Sequence, residues 1–245
     1  MSQNAAAILE LLKGMKAYDI APNFETNMPG YWNNPPCWII DDVRTYDKDH
    51  YFCQTLVIGE HIGEHIDAPA HVRKGAKTIE QFDPGFFILP YKKYDLTSYE
   101  PGEGWMLRLE QIEEVEARDG IKPEPGEIIL FRYGWDKHYK PDSPDPAERA
   151  FYGANSPGLS EEACRYFRDA KVKAVGSDSC QGTIPSVNGK NLSLACHDSI
   201  FLPNDIPIVE GLVNLNRIPL TGLFLALPLN IKQGSGSPVS AIAFG

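Results

Sequence analysis

The side chains best suited to chemistry lie in the segment 59–71, which has the sequence GEHIGEHIDAPAH. This stretch holds three of the six histidines of the chain, His61, His65 and His71, together with Asp67. Neutral imidazole and carboxylate groups are ligands that zinc, manganese and iron take in proteins. Three protein ligands that leave open positions are typical of a catalytic metal site, so we predict that His61, His65 and Asp67 bind a divalent cation.

The spacing within this stretch favours extended backbone. The four side chains named above have odd numbers, so in an extended segment they project from one face, and Ile62 and Ile66 project from the other. A helix would also bring positions 61 and 65 together, but Gly63 and Pro69 argue against a sustained helix. Scattered surface histidines are the competing interpretation, and the pattern HxGxHxDxPxH is much more specific than a single histidine pair.

Two further candidate ligands, Glu210 and His197, lie in the second half of the chain. Glu210 follows the apolar residues 206–209 as a lone carboxylate. Burying it unpaired costs several kcal/mol unless a cation or hydrogen-bond donors neutralise it. A second metal ion bound by Glu210 and His197 would do so. The alternative for Glu210 is a strand end held by backbone amides.

Composition limits the class of protein. With 245 residues, 42% of them hydrophobic and 11% aromatic, the chain can form a packed core, and we expect a single domain over residues 1–245. A net charge of −10 makes nucleic acid and anionic membrane surfaces poor partners. Because the chain shows neither a leader pattern nor a run near the roughly 20 apolar residues of a membrane span, we expect a cytoplasmic protein.

The five cysteines are widely spaced and form no CxxC pair, so we expect them to be reduced. The sequence has no GxSxG elbow for a serine nucleophile. Cys196 is the one cysteine that neighbours a histidine, and in a strand its side chain would point away from that of His197. Nucleophilic catalysis by serine or cysteine is therefore disfavoured.

The elements that must position these residues alternate between strands and helices, which predicts an α/β fold with a mixed sheet. Residues 17–36 are expected to form a long loop, or a strand followed by a loop, in which Trp32 borders a pocket or packs in the core. Residues 140–158 are expected to form an irregular excursion that could close over a pocket. Strands are predicted over residues 38–44, 51–58, 86–96, 126–132, 172–175, 206–209, 223–229 and 239–244, and helices over 5–16, 109–118 and 160–170.

Six segments, in this order, resemble the cyclase family of metal-dependent hydrolases. They are the histidine-rich stretch, residues 131–135 (FRYGW), 156–160 (SPGLS), 176–178 (GSD), 210–215 (EGLVNL) and 234–239 (GSGSPV). The resemblance covers nearly the whole chain and implies a swivelling β/β/α fold with flanking helices. It also implies a homodimer or homotetramer that hydrolyses an amide-like bond in a small molecule.

By matching positions, the resemblance implies that His61 and His65 bind one ion and that Asp67 is shared with a second. It implies that His197 and Glu210 complete the second site. His71 resembles the residue that donates or accepts a proton.

The number and identity of the ions stay open. Formamidase-like members have the glutamate and bind two ions, whereas isatin-hydrolase-like members lack it and bind one manganese, with a glutamine in the stretch that resembles residues 177–181. This chain carries both Glu210 and Gln181. The resemblance thus implies zinc or manganese, with one or two ions per subunit.

Three other residues are candidates for contact with the substrate or the metal ligands. The family usually has threonine where this chain has Glu64, and an extra carboxylate there could face away, pair with a cation or approach the ion. Trp32 and Trp135, with other aromatic residues, suggest an aromatic substrate.

The leading hypothesis is that metal-activated water attacks the carbonyl carbon of an aryl formamide or cyclic amide, while His71 moves the proton. A lactone hydrolase of the same family is one alternative. Another is a non-haem iron oxygenase that uses His65, Asp67 and His197 as its triad. A non-catalytic protein that binds a small carboxylated ligand is the third.

Overall fold

A computed structural model describes residues 2–31, 33–35 and 37–245, with only the backbone of Asp42. Trp32 lies outside the described residues. The helices are α1 (Gln3–Lys13), α2 (Tyr46–Asp49), α3 (Leu109–Asp119), α4 (Pro146–Ala154) and α5 (Glu161–Asp169), with a π-helix at Ala195–Phe201. The strands are β1 (Ala17–Asp19), β2 (Trp38–Arg44), β3 (Cys53–Val57), β4 (His65–Asp67), β5 (Ile88–Asp95), β6 (Met106–Leu107), β7 (Ile128–Arg132), β8 (Gly158–Leu159), β9 (Ala174–Ser177), β10 (Ser186–Val187), β11 (Lys190–Asn191), β12 (Ile208–Glu210), β13 (Thr221–Leu225), β14 (Gly236–Pro238) and β15 (Ile242–Phe244).

Within the described residues, nine strands form one mixed sheet in the order β1-β15-β13-β5-β7-β9-β12-β4-β14. Strands β5, β7, β9 and β12 run parallel at its centre. The strands on either side join antiparallel, so that β4 lies between β12 and β14. This arrangement, with helices flanking the sheet, confirms the predicted α/β class.

The central strands are apolar because the sheet is covered on both faces. In β7, Ile129 and Phe131 pack in the cluster that includes residues of α3 and α5, whereas Ile128 and Leu130 pack in a second cluster with residues of β5 and β12. The period-two alternation of a strand thus divides a continuous apolar run between two cores.

The helices α3 and α5 cover one of these faces. The Oγ of Ser160 accepts a hydrogen bond from the Ala163 amide at 3.2 Å and begins α5, as the sequence predicts. Gly120 ends α3 in the left-handed conformation, with φ of 65°. These boundaries agree with the predicted helices to within a residue or two.

Residues 140–158 are more regular than predicted. Asp145 accepts a hydrogen bond from the Ala147 amide at 2.8 Å, and Pro146 occupies the first turn of α4. Tyr152 is buried in the helix. The expectation of an irregular excursion was therefore wrong for residues 146–154, because three of the four prolines that suggested it lie at or just before the start of a helix.

The expectation that all five cysteines are reduced is also wrong. Cys164 on α5 and Cys196 on the π-helix form a disulfide across a sequence separation of 32 residues. The π-helix also replaces the strand that we assumed around His197. Neither feature follows from cysteine spacing, because packing of the two helices brings the sulfur atoms together. A cytoplasmic location stays a prediction.

Strands β2 and β3 pair antiparallel as the predicted hairpin, although residues 46–49 form a helical turn between them. All of β3 is exposed, and no residue of α1 is buried. Among the described residues, no helix combines the length and apolar character needed to cross a membrane.

Candidate active site

The strand β4 carries His65 and Asp67. It lies second from one edge of the sheet, between its antiparallel neighbours β12 and β14. Register pairs His65 with Glu210 on β12, so the two side chains extend to the same face of the sheet. The Nε2 atom of His65 lies 3.5 Å from Glu210 Oε2 and 3.4 Å from Asp67 Oδ1. This cross-strand contact explains why the otherwise apolar strand β12 ends in a carboxylate.

The predicted extended face is correct for positions 65 and 67 and wrong for His61 and His71. Gly63 adopts φ of 62°, and a Cβ atom there would lie 2.6 Å from the Cε of Met28. The chain therefore bends before β4, and His61 approaches Asp67 from a loop. His71 reaches the site from the 3-10 turn Pro69–His71.

Asp67 is the centre of the cluster. His61 Nδ1 lies 2.5 Å from its Oδ1, and His197 Nε2 lies 3.0 Å from its Oδ2. Burial alone would raise the pKa of Asp67, but hydrogen bonds with His197 and His61 outweigh burial and hold the pKa well below its usual range. The carboxylate is therefore ionised and available to a cation.

The pKa values of Glu210 and His197 are raised, whereas that of Asp67 is lowered. Burial, together with the negative charge of Asp67, raises the pKa of Glu210 well above its usual value. Burial would lower the pKa of His197, but contacts with Asp198 and Asp67 raise it to about 10. Without a metal ion, a proton on His197 thus offsets part of the negative charge.

His71 lines the cavity beside these ligands, with its ring centroid 3.9 Å from that of His61 and 5.4 Å from that of His197. Partial burial, helped by the charges of the neighbouring histidines and opposed by Asp67, lowers its pKa to about 4. His71 is therefore a neutral imidazole at physiological pH and can accept a proton.

The remaining nitrogen of each other histidine in the cluster has its own partner. His65 Nδ1 donates to the Gly63 carbonyl at 3.0 Å, and His197 Nδ1 lies 2.6 Å from Asp198 Oδ1. His61 Nε2 lies 2.7 Å from Ser235 Oγ. Sequence reasoning missed Asp198 and Ser235 as site residues, although Ser235 belongs to the GSGSPV segment that it singled out.

The donor set fits a divalent cation. Potential ligand atoms of His65, Asp67 and Glu210 lie within 4.8 Å of one another, and so do those of His61, Asp67 and His71. Glu210 Oε1 is buried without a hydrogen-bond partner among the described residues. An unpartnered buried carboxylate oxygen is costly, and a cation would compensate it.

Gln181 also lies at this site. Its Nε2 donates to the Gly153 carbonyl at 2.9 Å and to Ser186 Oγ at 2.7 Å. These bonds fix the amide, and its Oε1 is buried without a partner among the described residues. Gln181 lines the same cavity as the histidines and can accept a hydrogen bond there.

The structure does not bring Glu64 or Trp135 to the cluster. Glu64 is fully buried on the other side of β4, where its Oε2 accepts from the Ala241 amide at 3.1 Å. Burial raises its pKa well above the usual value. Trp135 packs in the core and donates from Nε1 to the Tyr152 carbonyl at 3.3 Å. Neither residue lines the cavity.

The cavity above the cluster has a volume of about 370 Å³. Besides the five candidate ligands, His71 and Gln181, it is lined by Tyr31, Asn34, Val72, Ile184, Asn191, Leu194 and Asp198. The polar floor and the partly apolar wall match a site for a small molecule with one reactive polar group.

The chain is similar to known hydrolases in sequence and in structure. Isatin hydrolase of Roseibium aggregatum is 30% identical over 229 residues, which are 88% of this chain and 84% of the relative. Kynurenine formamidase of Salinibacter ruber is 26% identical over 206 residues, 84% of this chain and 85% of the relative. A crystal structure of an isatin hydrolase bound to the product analogue thioisatinate has a TM-score of 0.82 and 25% identity, covering 100% of this chain and 99% of that one.

These relatives are amide hydrolases, which confirms the predicted class of enzyme, and the structural match confirms the predicted fold. The family model named Cyclase matches residues 18–181, more than half of the chain. The chain therefore belongs to the Cyclase family, as its six segments predict.

Proposed function

We propose that this chain uses a divalent cation to hydrolyse a cyclic amide or an aryl formamide. The observation that carries the proposal is the convergence of His65, Asp67 and Glu210 beside the neutral imidazole of His71, at the base of one cavity. The candidate metal ligands and a proton acceptor thus lie within reach of the same small molecule in this cavity.

The cation would be held by His61, His65, Asp67, His197 and Glu210, with Asp67 shared if two ions bind. Zinc or manganese suits this set of imidazoles and carboxylates. Such an ion polarises a carbonyl oxygen and lowers the pKa of water towards about 7. The oxygen of Glu210 that has no hydrogen-bond partner among the described residues supports the proposal, since it lies beside the other candidate ligands and a cation there would compensate its burial.

His71 would move the proton during the reaction. Its ring faces the cavity, and its pKa of about 4 leaves it free to take a proton from the attacking water. The protonated ring would then be a strong acid that can deliver this proton to the leaving nitrogen. Gln181 Oε1 would accept a hydrogen bond from the substrate.

The size and lining of the cavity support a small aromatic amide as substrate. Its volume of about 370 Å³ lies at the lower end of the roughly 300–1,000 Å³ of small-molecule sites. Val72, Ile184 and Leu194 provide apolar surface beside the polar cluster. Isatin, the cyclic amide in the name of one relative, and N-formylkynurenine, the formamide implied by the other, combine an aromatic ring with such a bond.

An iron oxygenase would use only His65, Asp67 and His197. It would leave Glu210 and His61 as ionisable groups without a role beside the ion, so the geometry favours hydrolysis. Oxygen consumption by protein loaded with ferrous iron would favour the oxygenase.

We propose further that the protein forms a homodimer or homotetramer through the β2–β3 hairpin. Trp38 pairs with Val57 across this hairpin, Ile40 lies on the same face, and the three side chains are 43 to 50% exposed. A contiguous apolar surface of this kind is typical of protein interfaces. Replacing Ile40 and Val57 by aspartate should lower the mass measured by light scattering to that of a monomer, and an unchanged mass would refute this surface as the interface.

The test of the proposed function is a substrate panel with controlled metal content. Metal-free protein, reloaded with zinc or manganese, is assayed on isatin, N-formylkynurenine and a simple aryl lactone. We expect turnover of one of the amides, loss of turnover with a chelator and recovery on reloading. Turnover of the lactone alone would identify the lactonase alternative, and no metal-dependent turnover of any substrate would refute the proposal.

A further inference from the structure

The GSGSPV segment near the C-terminus lies directly against the histidine cluster. The strand β14 pairs with β4, so Gly236 lies opposite Asp67. The amide of Ala68 donates to the Ser235 carbonyl at 2.9 Å, which fixes the segment beside the ligand strand. A Cβ atom on Gly236 would lie 2.6 Å from Cε1 of His61. The missing side chain at this position therefore allows the imidazole to approach the backbone closely.

Ser235 connects His61 to a carboxylate. Its Oγ lies 2.7 Å from Nε2 of His61 and donates to Glu60 Oε2 at 2.6 Å. The same carboxylate oxygen accepts from the Ser235 amide at 3.0 Å. Glu60 thus holds both the backbone and the hydroxyl of Ser235 in one orientation.

The carboxylate fixes the direction of this hydrogen-bond chain. An ionised carboxylate only accepts hydrogen bonds, so the single hydroxyl proton of Ser235 points to Glu60. The hydroxyl oxygen must then accept from Nε2–H of His61. Nε2 of His61 therefore keeps its hydrogen, which is held by Ser235. Nδ1 faces Asp67 at 2.5 Å and donates to this carboxylate, so a cation bound beside Asp67 would replace that hydrogen and take the lone pair of Nδ1.

From this geometry we propose that Ser235 and Glu60 are positioning residues that make His61 bind the cation through Nδ1. The inference rests on the proposed metal-dependent function. It specifies which nitrogen of His61 keeps its hydrogen and which nitrogen binds the cation. His65 and His197 instead present Nε2, because their Nδ1 atoms are engaged with Gly63 and Asp198. In each of these histidines, a hydrogen bond engages one ring nitrogen and leaves the other to bind the cation.

The test is metal affinity, measured without substrate. Ser235→Ala removes the acceptor for Nε2–H, and Glu60→Gln replaces a pure acceptor with an amide that can donate to the Ser235 hydroxyl and so reverse the chain. Loss of such supporting partners typically weakens metal binding about 10–100-fold. We expect a loss of that size in both variants, measured by competition with a chromophoric chelator for zinc.

Ser237→Ala is the matched control. Ser237 lies two residues further on in the same segment, and its Oγ accepts from the Leu229 amide at 2.8 Å and donates to the Pro238 carbonyl at 2.7 Å. We expect its zinc affinity to stay within about twofold of the wild type. A thermal melt of each metal-free variant shows that it is folded before affinities are compared.

A spectroscopic measurement distinguishes positioning from general damage. Long-range nitrogen–proton NMR spectra of zinc-loaded protein report which imidazole nitrogen binds the metal, with His61 assigned by comparison with His61→Gln. We expect zinc on Nδ1 of His61 and a proton on Nε2.

The outcomes separate this inference from the proposed function. Zinc on Nε2 of His61, or wild-type affinity in both Ser235→Ala and Glu60→Gln, would overturn the positioning role while leaving the metal site in place. A wild-type protein that bound neither zinc nor manganese would overturn the proposed function and this inference together.

Discussion

Replacing Glu210 by glutamine should change protein stability in opposite directions in the metal-free and metal-loaded protein. In the metal-free state, one oxygen of this carboxylate has no partner in the described part of the chain, and burial together with the charge of Asp67 raises the pKa of Glu210. The folded state therefore binds the proton of Glu210 more tightly than the unfolded chain, and the cost grows as the pH rises above the ordinary pKa of glutamate. At pH 8, Glu210→Gln should relieve this cost.

The size of the effect follows from the burial of the group. A buried polar group without a partner costs about 1–3 kcal/mol and a charged one costs more, so we take about 2 kcal/mol as the gain when a neutral amide replaces the carboxylate in the metal-free protein. For a domain of this size, about 1 kcal/mol moves the melting temperature by roughly 2–4 °C, so the variant should melt roughly 4–8 °C higher.

Loss of a carboxylate ligand that weakens metal binding about 100-fold removes about 2.8 kcal/mol at saturation. The loaded variant should thus melt roughly 2–3 °C lower than the loaded wild type.

The assay is thermal unfolding at pH 8, with a chelator or with excess zinc. Glu116→Gln is the control, because Glu116 is also a buried glutamate but accepts hydrogen bonds from Tyr94 and Tyr166 at 2.9 and 2.7 Å. Its effect should be the same with and without zinc. If Glu210→Gln lowered the melting temperature equally in both states, Glu210 would not be a metal ligand.

Three further predictions concern the histidines. His71→Ala should retain bound metal but lose about 10²–10⁴ in kcat, measured with metal content on the same sample, and an unchanged kcat would exclude His71 as the proton carrier. Because the pKa of His71 is about 4, protonation should remove its base function only well below pH 6; we expect a fall in kcat/KM near pH 4 that is absent from His71→Ala, and identical acid limbs in the two proteins would contradict its assignment as the base. Since His197 holds a proton with a pKa of about 10 before metal binds, zinc uptake at pH 7.5 should release about one proton from it. Calorimetry in buffers of different ionisation enthalpy measures this proton, and equal release by His197→Asn would show that it comes from elsewhere.

Local patterns in the sequence predict much of the fold. The apolar run ending at Arg132 and the Ser160 cap depend on neighbours in the chain, and both are found as predicted. The disulfide and the π-helix around His197 depend on how distant segments pack, which no local pattern encodes.

In the candidate site too, local sequence predicts some features, and the packing of distant segments determines the others. The residue types and spacing predict His65 and Asp67 on one face, because both lie on the strand β4. The positive φ of Gly63 removes His61 from that face, and periodicity alone does not reveal this bend. Ser235 joins the site across 174 residues of sequence, so only the pairing of β14 with β4 identifies it.

The central claim is that the cluster around Asp67 holds a divalent cation. Anomalous X-ray diffraction at the zinc and manganese absorption edges, on crystals of the metal-loaded protein, measures this directly. We predict a peak about 2.0–2.2 Å from Asp67 and from His65 Nε2, with the side chain of Glu210 turned towards this ion or a second one. Crystals that contain the metal elsewhere, while His61 and His197 remain hydrogen-bonded to Asp67, would contradict the claim.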